Sequence, residues 1–193
     1  MRTKETRIKL FASAAALCIT ALCVVIVYIT PIETTGMKIT GAFISVAVIS
    51  AAAWKFPVRF YIPAMIFDVF AAALGSVVNL YRYVGFYDKF VHYLSGILLA
   101  EAGMILISYL FKKRSIKNDR AVKLLFSFFF SASCAGFWEI YEFTADNLIK
   151  TNMQGGNKNT MGDIISGVLG ALTYCLVSLA VCREKNKERR KSA

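Results

Sequence analysis

The stretch LLFSFFFSASCAGFWEIYEFTAD, residues 124–146, decides what kind of fold this chain adopts. Its first half is built from apolar and small residues, which is the composition of a helix inside a lipid bilayer. Its second half carries three acids, Glu139, Glu142 and Asp146, near the end of the apolar run. Charge is costly inside a membrane, so the sequence raises the question of what these acids face.

The rest of the chain repeats this apolar pattern. Of the 193 residues, 57% are hydrophobic and only 3 are proline. A membrane-spanning helix needs about 20 mostly apolar residues, and no loop has a hydrophobic pattern of its own. We therefore predict an all-α fold, a polytopic membrane helical bundle of about six transmembrane helices that forms a single transmembrane domain over residues 1–193. The predicted segments are 9–30, 38–54, 60–80, 88–111, 122–145 and 162–182.

The first segment also has features of a secretory signal, because basic residues precede an apolar run. However, its small-residue sequence Ala12-Ser13-Ala14 opens the run instead of closing it. The run is also longer than the apolar region of a typical signal. We expect a retained first helix.

The net charge of +11 follows the predicted topology. Of the 23 Lys and Arg residues, 18 fall in the N-terminal segment, in two alternate loops and in the C-terminal segment. The positive-inside rule then places both termini in the cytoplasm. The basic cytoplasmic tail, residues 183–193, is expected to fix orientation or to touch anionic membrane lipid, and no nucleic-acid partner is predicted.

The five cysteines lie in or at the ends of apolar segments. None lies in a predicted outer loop and no two are spaced as in a Cys-x-x-Cys pair, so neither a disulfide framework nor a thiolate metal site is predicted. We interpret them as small apolar packing residues.

Six titratable side chains are predicted to gather on the extracytoplasmic side. The fifth helix runs outward, and the fourth and sixth run inward, so the acids near their outer ends meet at one face of the membrane. A rotation of about 100° per residue places the three acids of the fifth helix within about 60° of one another. The six residues are Asp88, His92, Glu139, Glu142, Asp146 and Asp163.

Part of this set has a simpler explanation. Asp88 and Asp163 are expected near helix N-termini, where a carboxylate caps free N–H groups, and Thr160–Asp163 has the pattern of a capping box. His92 taken alone is more typical of a packed or interfacial histidine. The acids of the fifth helix lie at its C-terminal end and repel one another, so capping does not explain them. A positive group should compensate them: Arg82, Lys89, Lys150, Lys158, a protonated His92 or a bound cation.

A divalent metal ion is one such cation. Carboxylate oxygens and one imidazole suit Mg²⁺, Mn²⁺, Fe²⁺ or Zn²⁺, and Asp88 or Asp163 would either bind the ion or orient His92. A bound ion can polarise a phosphoryl or carbonyl oxygen and activate water. His92, Glu139 and Glu142 are therefore the candidate catalytic residues for hydrolysis or transfer on an envelope lipid or lipid-linked substrate. The candidate metal ligands are Asp88, His92, Glu139, Glu142 and Asp163.

Two further acids lie deeper, with no intramembrane Lys or Arg to pair with. Asp68 is in the third predicted helix and Glu101 in the fourth. Such carboxylates are either protonated or face a polar cavity. Glu101 lies about 180° around its helix from His92, whereas Asp68, Gly75 and Asn79 line one face that leads outward. A proton relay through Asp68 and Glu101, as in a small proton-coupled secondary transporter, is the second hypothesis.

Three sequence elements on successive predicted helices resemble a known pattern. YDKFVHYLSG (87–96), FWEIYEF (137–143) and NTMGDIISGVLGA (159–171) are similar to the uncharacterised inner-membrane protein family of the YjdF type, and more distantly to the VanZ-like family associated with glycopeptide-antibiotic tolerance. The resemblance covers residues 85–175. It implies a multi-pass protein of the bacterial cytoplasmic (inner) membrane and supplies no reaction. It also implies that Asp88, His92, Glu139, Glu142 and Asp163 are the family's polar positions.

A third hypothesis is a non-catalytic accessory subunit of a membrane complex. In that case Arg82 and Lys89 would neutralise the acids, and no substrate would bind.

Overall fold

Helices make up nearly all of the computed structural model, which describes residues 2–117, 119–151 and 153–191. Ser192 and Ala193, the end of the predicted basic tail, lie outside this part of the chain. The elements are α1 (Arg2–Ile29), α2 (Gly36–Ala53), α3 (Val58–Asp68), a π-helix (Val69–Val77), α4 (Leu80–Tyr83), α5 (Tyr87–Lys113), α6 (Arg120–Ile149) and α7 (Asn157–Lys191).

Six of the described helical segments are long and apolar enough to cross a membrane, which confirms the prediction of a helical membrane protein with six spans. They are Thr3–Ile29, Gly36–Ala53, Val58–Val77, Tyr87–Lys113, Arg120–Ile149 and Asn157–Glu184. The cytoplasmic placement of both termini and the single transmembrane domain stay predictions. Helix α7 continues to Lys191, well past the predicted end at residue 182, so most of the basic tail is helical.

The third span differs from the regular helix that the sequence predicts. After Asp68 its hydrogen bonds change from the α to the π pattern, and the backbone N–H of Val78 donates to the carbonyl of Ala73, five residues back, at 3.0 Å. The span ends at Asn79, whose φ of 66° lies in the left-handed region. Asparagine tolerates that conformation better than most residues.

Contacts divide the chain into two compact units, the first ending at Val91 and the second beginning at His92. In the first unit, α1, α2, α3 and the π-helix pack on one another. Its apolar core consists of Cys23, Val27, Ala42, Ala73 and Val77.

Buried polar groups secure both ends of the first unit. At one end the Lys9 amino group donates to the carbonyls of Trp54 and Phe56, each at 2.7 Å. At the other end the side-chain amide of Asn79 donates to the Glu33 carbonyl and accepts from the amino group of Lys38. These contacts satisfy backbone carbonyls near the ends of α1 and α2, which have no partner within their own helices.

The second unit consists of α5 from His92 onward, α6 and α7. Residues of α5 and α6 pair in opposite order along the chain, since His92 lies near Glu139 whereas the Gly96 carbonyl accepts from Ser131. Residues of α5 and α7 pair in the same order, from Gly96 and Gly167 to Glu101 and Tyr174. Helix α6 is therefore antiparallel to the other two, as successive membrane crossings require.

Glycines allow α5 and α7 to pack closely. A Cβ atom added at Gly96 would overlap the Gly167 carbonyl, and one added at Gly170 would overlap the Tyr93 carbonyl. Small residues at these positions permit the close approach of the two helix backbones.

Candidate acidic–histidine site

Helix α6 presents two acids to the interior of the second unit. The buried residues of α6 recur every three or four positions, and most of them are small. Glu139 and Glu142 occupy two of these buried positions in the C-terminal half of the helix. Only 4% of Glu139 and 7% of Glu142 is exposed. The prediction that these two acids share one helix face is therefore confirmed.

His92 faces these acids from α5. The residue is 8% exposed, and its Nε2 lies 3.9 Å from Glu139 Oε1. This separation is an ion-pair distance if the imidazole carries a proton, but it is too long for a hydrogen bond. A group that fits between the two side chains would contact both.

Asp163 joins the group from α7. It is completely buried, and one of its carboxylate oxygens lies within 4.8 Å of an imidazole nitrogen of His92. Helix α7 begins at Asn157, so Asp163 lies in its second turn. The capping-box interpretation of Thr160–Asp163 is therefore wrong, because the helix extends further toward the N-terminus than the apolar pattern indicates.

Asp88 lies at the border of this group. It is in the first turn of α5, as its capping interpretation requires. It precedes His92 by one turn of the same helix. Lys89 Nζ is 3.8 Å from Asp88 Oδ2, and both side chains are partly exposed. Asp88 is thus the most accessible of the five predicted metal ligands.

Two of the acids accept hydrogen bonds from a residue one turn earlier on their own helix. Trp138 Nε1 donates to Glu142 Oε1 at 2.8 Å, and Asn159 Nδ2 donates to Asp163 Oδ2 at 2.5 Å. Sequence reasoning missed both donors. The four-residue spacing between donor and acid was the signal that could have identified them.

Asp146 has a different role from the two acids that precede it on α6. Its carboxylate accepts hydrogen bonds from the Thr151 hydroxyl at 2.5 Å and from the backbone N–H groups of Met153 and Gln154 at 2.9 and 3.0 Å. These bonds organise the chain that follows the helix. Asp146 shares the predicted face of α6 but stabilises a loop.

The two deeper acids lie in different units. Asp68 belongs to the first unit, where it is 2% exposed. Glu101 belongs to the second, where its carboxylate accepts a hydrogen bond from the Tyr174 hydroxyl. The partner of Glu101 was not predicted. The relay through Asp68 and Glu101 stays a prediction.

Four buried side chains of the second unit therefore lie at one end of its three helices: His92, Glu139, Glu142 and Asp163, here called the acidic–histidine cluster. Carboxylate oxygens and imidazole nitrogen are ligands that divalent ions accept. The same groups can exchange protons with a substrate, since imidazole and carboxylate side chains are common proton donors and acceptors in catalysis.

The comparisons with known proteins identify a family and no activity. No curated protein and no solved structure matches the chain. One family model does match, and it covers residues 11–185, which include most of the first membrane span, the other five in full and the whole acidic–histidine cluster. The resemblance to the YjdF-type pattern is thereby confirmed, whereas the link to the VanZ-like family stays a prediction. This chain is a multi-pass membrane protein and belongs to the family described as predicted membrane protein DUF2238.

Proposed function

We propose that the protein binds one divalent metal ion at the acidic–histidine cluster, on the extracytoplasmic side of the bacterial cytoplasmic membrane. The position of His92 carries this proposal. One of its ring nitrogens lies within 4.8 Å of an Asp163 oxygen, and its Nε2 lies 3.9 Å from Glu139. Bonds from zinc to nitrogen and oxygen ligands are about 2.0–2.2 Å long. An ion placed between two such atoms therefore reaches both with little movement.

The charge of the cluster supports a divalent ion. Glu139, Glu142 and Asp163 are 4%, 7% and 0% exposed. Buried carboxylates are costly unless positive charge compensates them. A protonated His92 supplies one positive charge against three acids, and a divalent ion supplies two. Metal binding also explains why a histidine and acids from three different helices converge.

The depth of the cluster suggests the substrate. His92 and Asp163 follow the first residues of α5 and α7, Tyr87 and Asn157, by five and six positions. At about 1.5 Å per residue they lie about 8–9 Å from those helix ends. The headgroup layer on each side of a bilayer is about 5–8 Å thick. The cluster would then lie just beneath the headgroups, within reach of a lipid phosphate.

We therefore propose hydrolysis or group transfer on an envelope lipid or a lipid-linked precursor. The metal ion would polarise a phosphoryl or carbonyl oxygen. Glu139 or Glu142 would accept the proton of the attacking water, because a general base must lie within hydrogen-bond reach of that proton. His92 would act as a ligand or, if the ion is held by the acids alone, as a general acid.

Metal titration of purified protein tests the proposal. After treatment with a chelator, the protein in detergent is titrated with Mn²⁺ and with Zn²⁺ in a calorimeter. We expect one saturable site, weakened at least about tenfold by Glu139→Gln and by His92→Ala. Glu184→Gln, at an exposed position near the other end of α7, is the matched control and should leave the affinity unchanged. Failure of the wild-type protein to bind either ion would refute the metal site.

In the accessory-subunit hypothesis Arg82 and Lys89 neutralise the acids, but Arg82 has another acidic partner. Arg82 forms an ion pair with Glu33 inside the first unit, so its charge is already engaged there. Lys89 lies near Asp88, at the border of the cluster. The proton-coupled carrier stays a prediction. It would be tested by comparing proton uptake into vesicles that contain the wild-type protein with uptake into vesicles that contain the Asp68→Asn, Glu101→Gln variant.

A further inference from the structure

Asp68 occupies the middle of a predicted membrane span. It is the last residue of α3 and lies eleven positions into the span Val58–Val77. At about 1.5 Å per residue, it lies about 15 Å from the start of the span, which is half the thickness of the hydrocarbon layer. Only 2% of the residue is exposed, so the first unit itself encloses it.

The carboxyl group of Asp68 is incompletely satisfied. The Ser45 hydroxyl on α2 lies beside it but donates its hydrogen to the Ala42 carbonyl, at 2.9 Å. Among the described residues, the Oδ2 atom of Asp68 has no hydrogen-bond partner. A hydroxyl has one hydrogen, so Ser45 cannot donate to the Ala42 carbonyl and to the carboxylate at the same time.

The buried and half-buried lysines of α1 and α2 are engaged elsewhere. The Lys9 amino group binds the carbonyls of Trp54 and Phe56, and the Lys38 amino group binds Asn79. No ion pair involving Asp68 occurs within residues 2–117, 119–151 and 153–191. An enclosed carboxylate without a compensating positive charge is strongly disfavoured.

Polar side chains lie in the part of the first unit between Asp68 and the end that contains Lys9. Tyr61, Met65 and Asp68 recur at helical spacing on the buried face of α3. The Tyr61 hydroxyl lies 2.6 Å from Ser13 Oγ, which lies 2.9 Å from Ser50 Oγ. On the other side of Asp68, the π-helix contributes Ala73 and Val77 to the apolar core. Asp68 is therefore at the boundary between a polar half and an apolar half of the unit.

We propose that Asp68 and Ser45 form a binding site for one monovalent cation, a proton or a sodium ion, that is independent of the acidic–histidine cluster. One positive charge neutralises one carboxylate, whereas a divalent ion would leave an excess of positive charge in a buried place. Coupling ions in membrane proteins are typically bound where a membrane helix is irregular. Their ligands there are carboxylates, hydroxyls and backbone carbonyls. The α-to-π transition directly after Asp68 is such a point.

Any test of this site has to distinguish the signal of Asp68 from the signals of neighbouring titratable groups. Those with buried or half-buried side chains on the elements packed against α3 and the π-helix are Lys9 and Cys23 on α1, Lys38 on α2, and Tyr81 on α4. None of these is a carboxyl group, and Glu5 on α1 is exposed. The infrared bands of carboxyl groups therefore distinguish Asp68 from all of these neighbours.

The test is infrared difference spectroscopy of the full chain in liposomes, wild type minus Asp68→Asn. In the proton arm, sodium is replaced by choline and the pH is raised. A carbonyl band of a protonated acid that disappears on alkalinisation identifies a bound proton. In the sodium arm, the pH is fixed and choline is replaced by sodium. A shift of the carboxylate bands with sodium identifies a bound sodium ion.

Ser45→Ala should shift the frequency of the responsive band, because it removes the hydroxyl beside Asp68 and with it a ligand of the proposed site. Ser76→Ala is the matched control, since the Ser76 hydroxyl bonds to the Ala71 carbonyl. Should Asp68→Asn fail to fold, the same titrations on wild-type protein labelled with ¹³C-aspartate replace the subtraction. An aspartate carboxylate band that neither pH nor sodium alters, with no protonated band, would overturn the proposal.

Discussion

The hydroxyl of Tyr174 on α7 donates a hydrogen bond to the carboxylate of Glu101 on α5. Glu101 lies near the middle of a 27-residue membrane span, where an isolated carboxylate is expensive. The two helices approach closely at Gly96 and Gly170, so the phenol reaches the acid directly. The contact joins the two parallel helices of the second unit away from the acidic–histidine cluster.

Removal of the Tyr174 hydroxyl should destabilise the second unit. Tyr174→Phe keeps the ring and removes the donor, and a hydrogen bond to a charged group contributes about 1.5–3 kcal/mol. We expect a loss of that size in the free energy of unfolding, measured by chemical denaturation in detergent. Tyr109→Phe, at an exposed position, is the control. If the loss is as large with Glu101 already replaced by Gln, the contact does not stabilise the fold.

Alanine substitutions at two glycines should have opposite effects. In Gly96→Ala the new Cβ overlaps the backbone carbonyl of Gly167, which cannot move without separating α5 from α7. We expect a loss of about 1–3 kcal/mol, typical of overpacking. In Gly136→Ala the new Cβ has no neighbour within 4 Å. Alanine is the better helix former by about 0.5–1 kcal/mol, so this variant should be unchanged or more stable.

Thermal unfolding of the two variants in the same detergent measures this difference. Equal midpoints for Gly96→Ala and Gly136→Ala would show that α5 and α7 are not in close contact at this level.

Lys9 should be the most important basic side chain in the first unit. Its amino group donates to two carbonyls at 2.7 Å, and it lies 5.7 and 5.5 Å from the ring centroids of Trp54 and Tyr61. Lys9→Met keeps the apolar stem and removes these contacts. We expect a loss of about 2–4 kcal/mol in unfolding free energy, from hydrogen bonds and cation–π contacts together. Lys4→Met, on the exposed part of the same helix, should change it by less than about 0.5 kcal/mol.

Trp54 fluorescence reports the Lys9 contact directly. A shift of its emission in Lys9→Met without a shift in Lys4→Met is expected. Identical emission and stability in both variants would show that the lysine has no structural role.

The sequence predicted the fold because membrane helices depend mainly on composition. All six apolar segments became spans, because a run of about 20 apolar residues is what a membrane helix requires. The π-helix after Asp68 was missed, since π- and α-helices have similar apolar compositions. The extension of α7 was also missed. Its polar end is rich in Glu, Lys and Arg, which are good helix formers outside a membrane as well.

The candidate site was predictable as a set of residues but not as a geometry. Helix directions and rotation were sufficient to place His92, Glu139, Glu142 and Asp163 near one another. Asp146 was grouped with them because rotation does not reveal which carboxylate is captured by the following loop. The donors Trp138 and Asn159 were missed because a tryptophan at a membrane boundary, or an asparagine before a helix, has simpler explanations.

Trp138 should tune the affinity of the acidic–histidine cluster for its metal ion. The indole N–H holds Glu142 Oε1 at 2.8 Å, while the ring is half exposed. Trp138→Phe keeps an apolar ring and removes the donor. Side chains that orient metal ligands typically change affinity by about 10–100-fold. We therefore expect weaker Mn²⁺ or Zn²⁺ binding by calorimetry, with little change in thermal unfolding of the metal-free protein. Trp54→Phe, in the first unit, should bind metal as the wild type does. Equal affinities in both variants would mean that the Trp138 hydrogen bond does not position a metal ligand, even if the wild-type protein binds metal at the cluster.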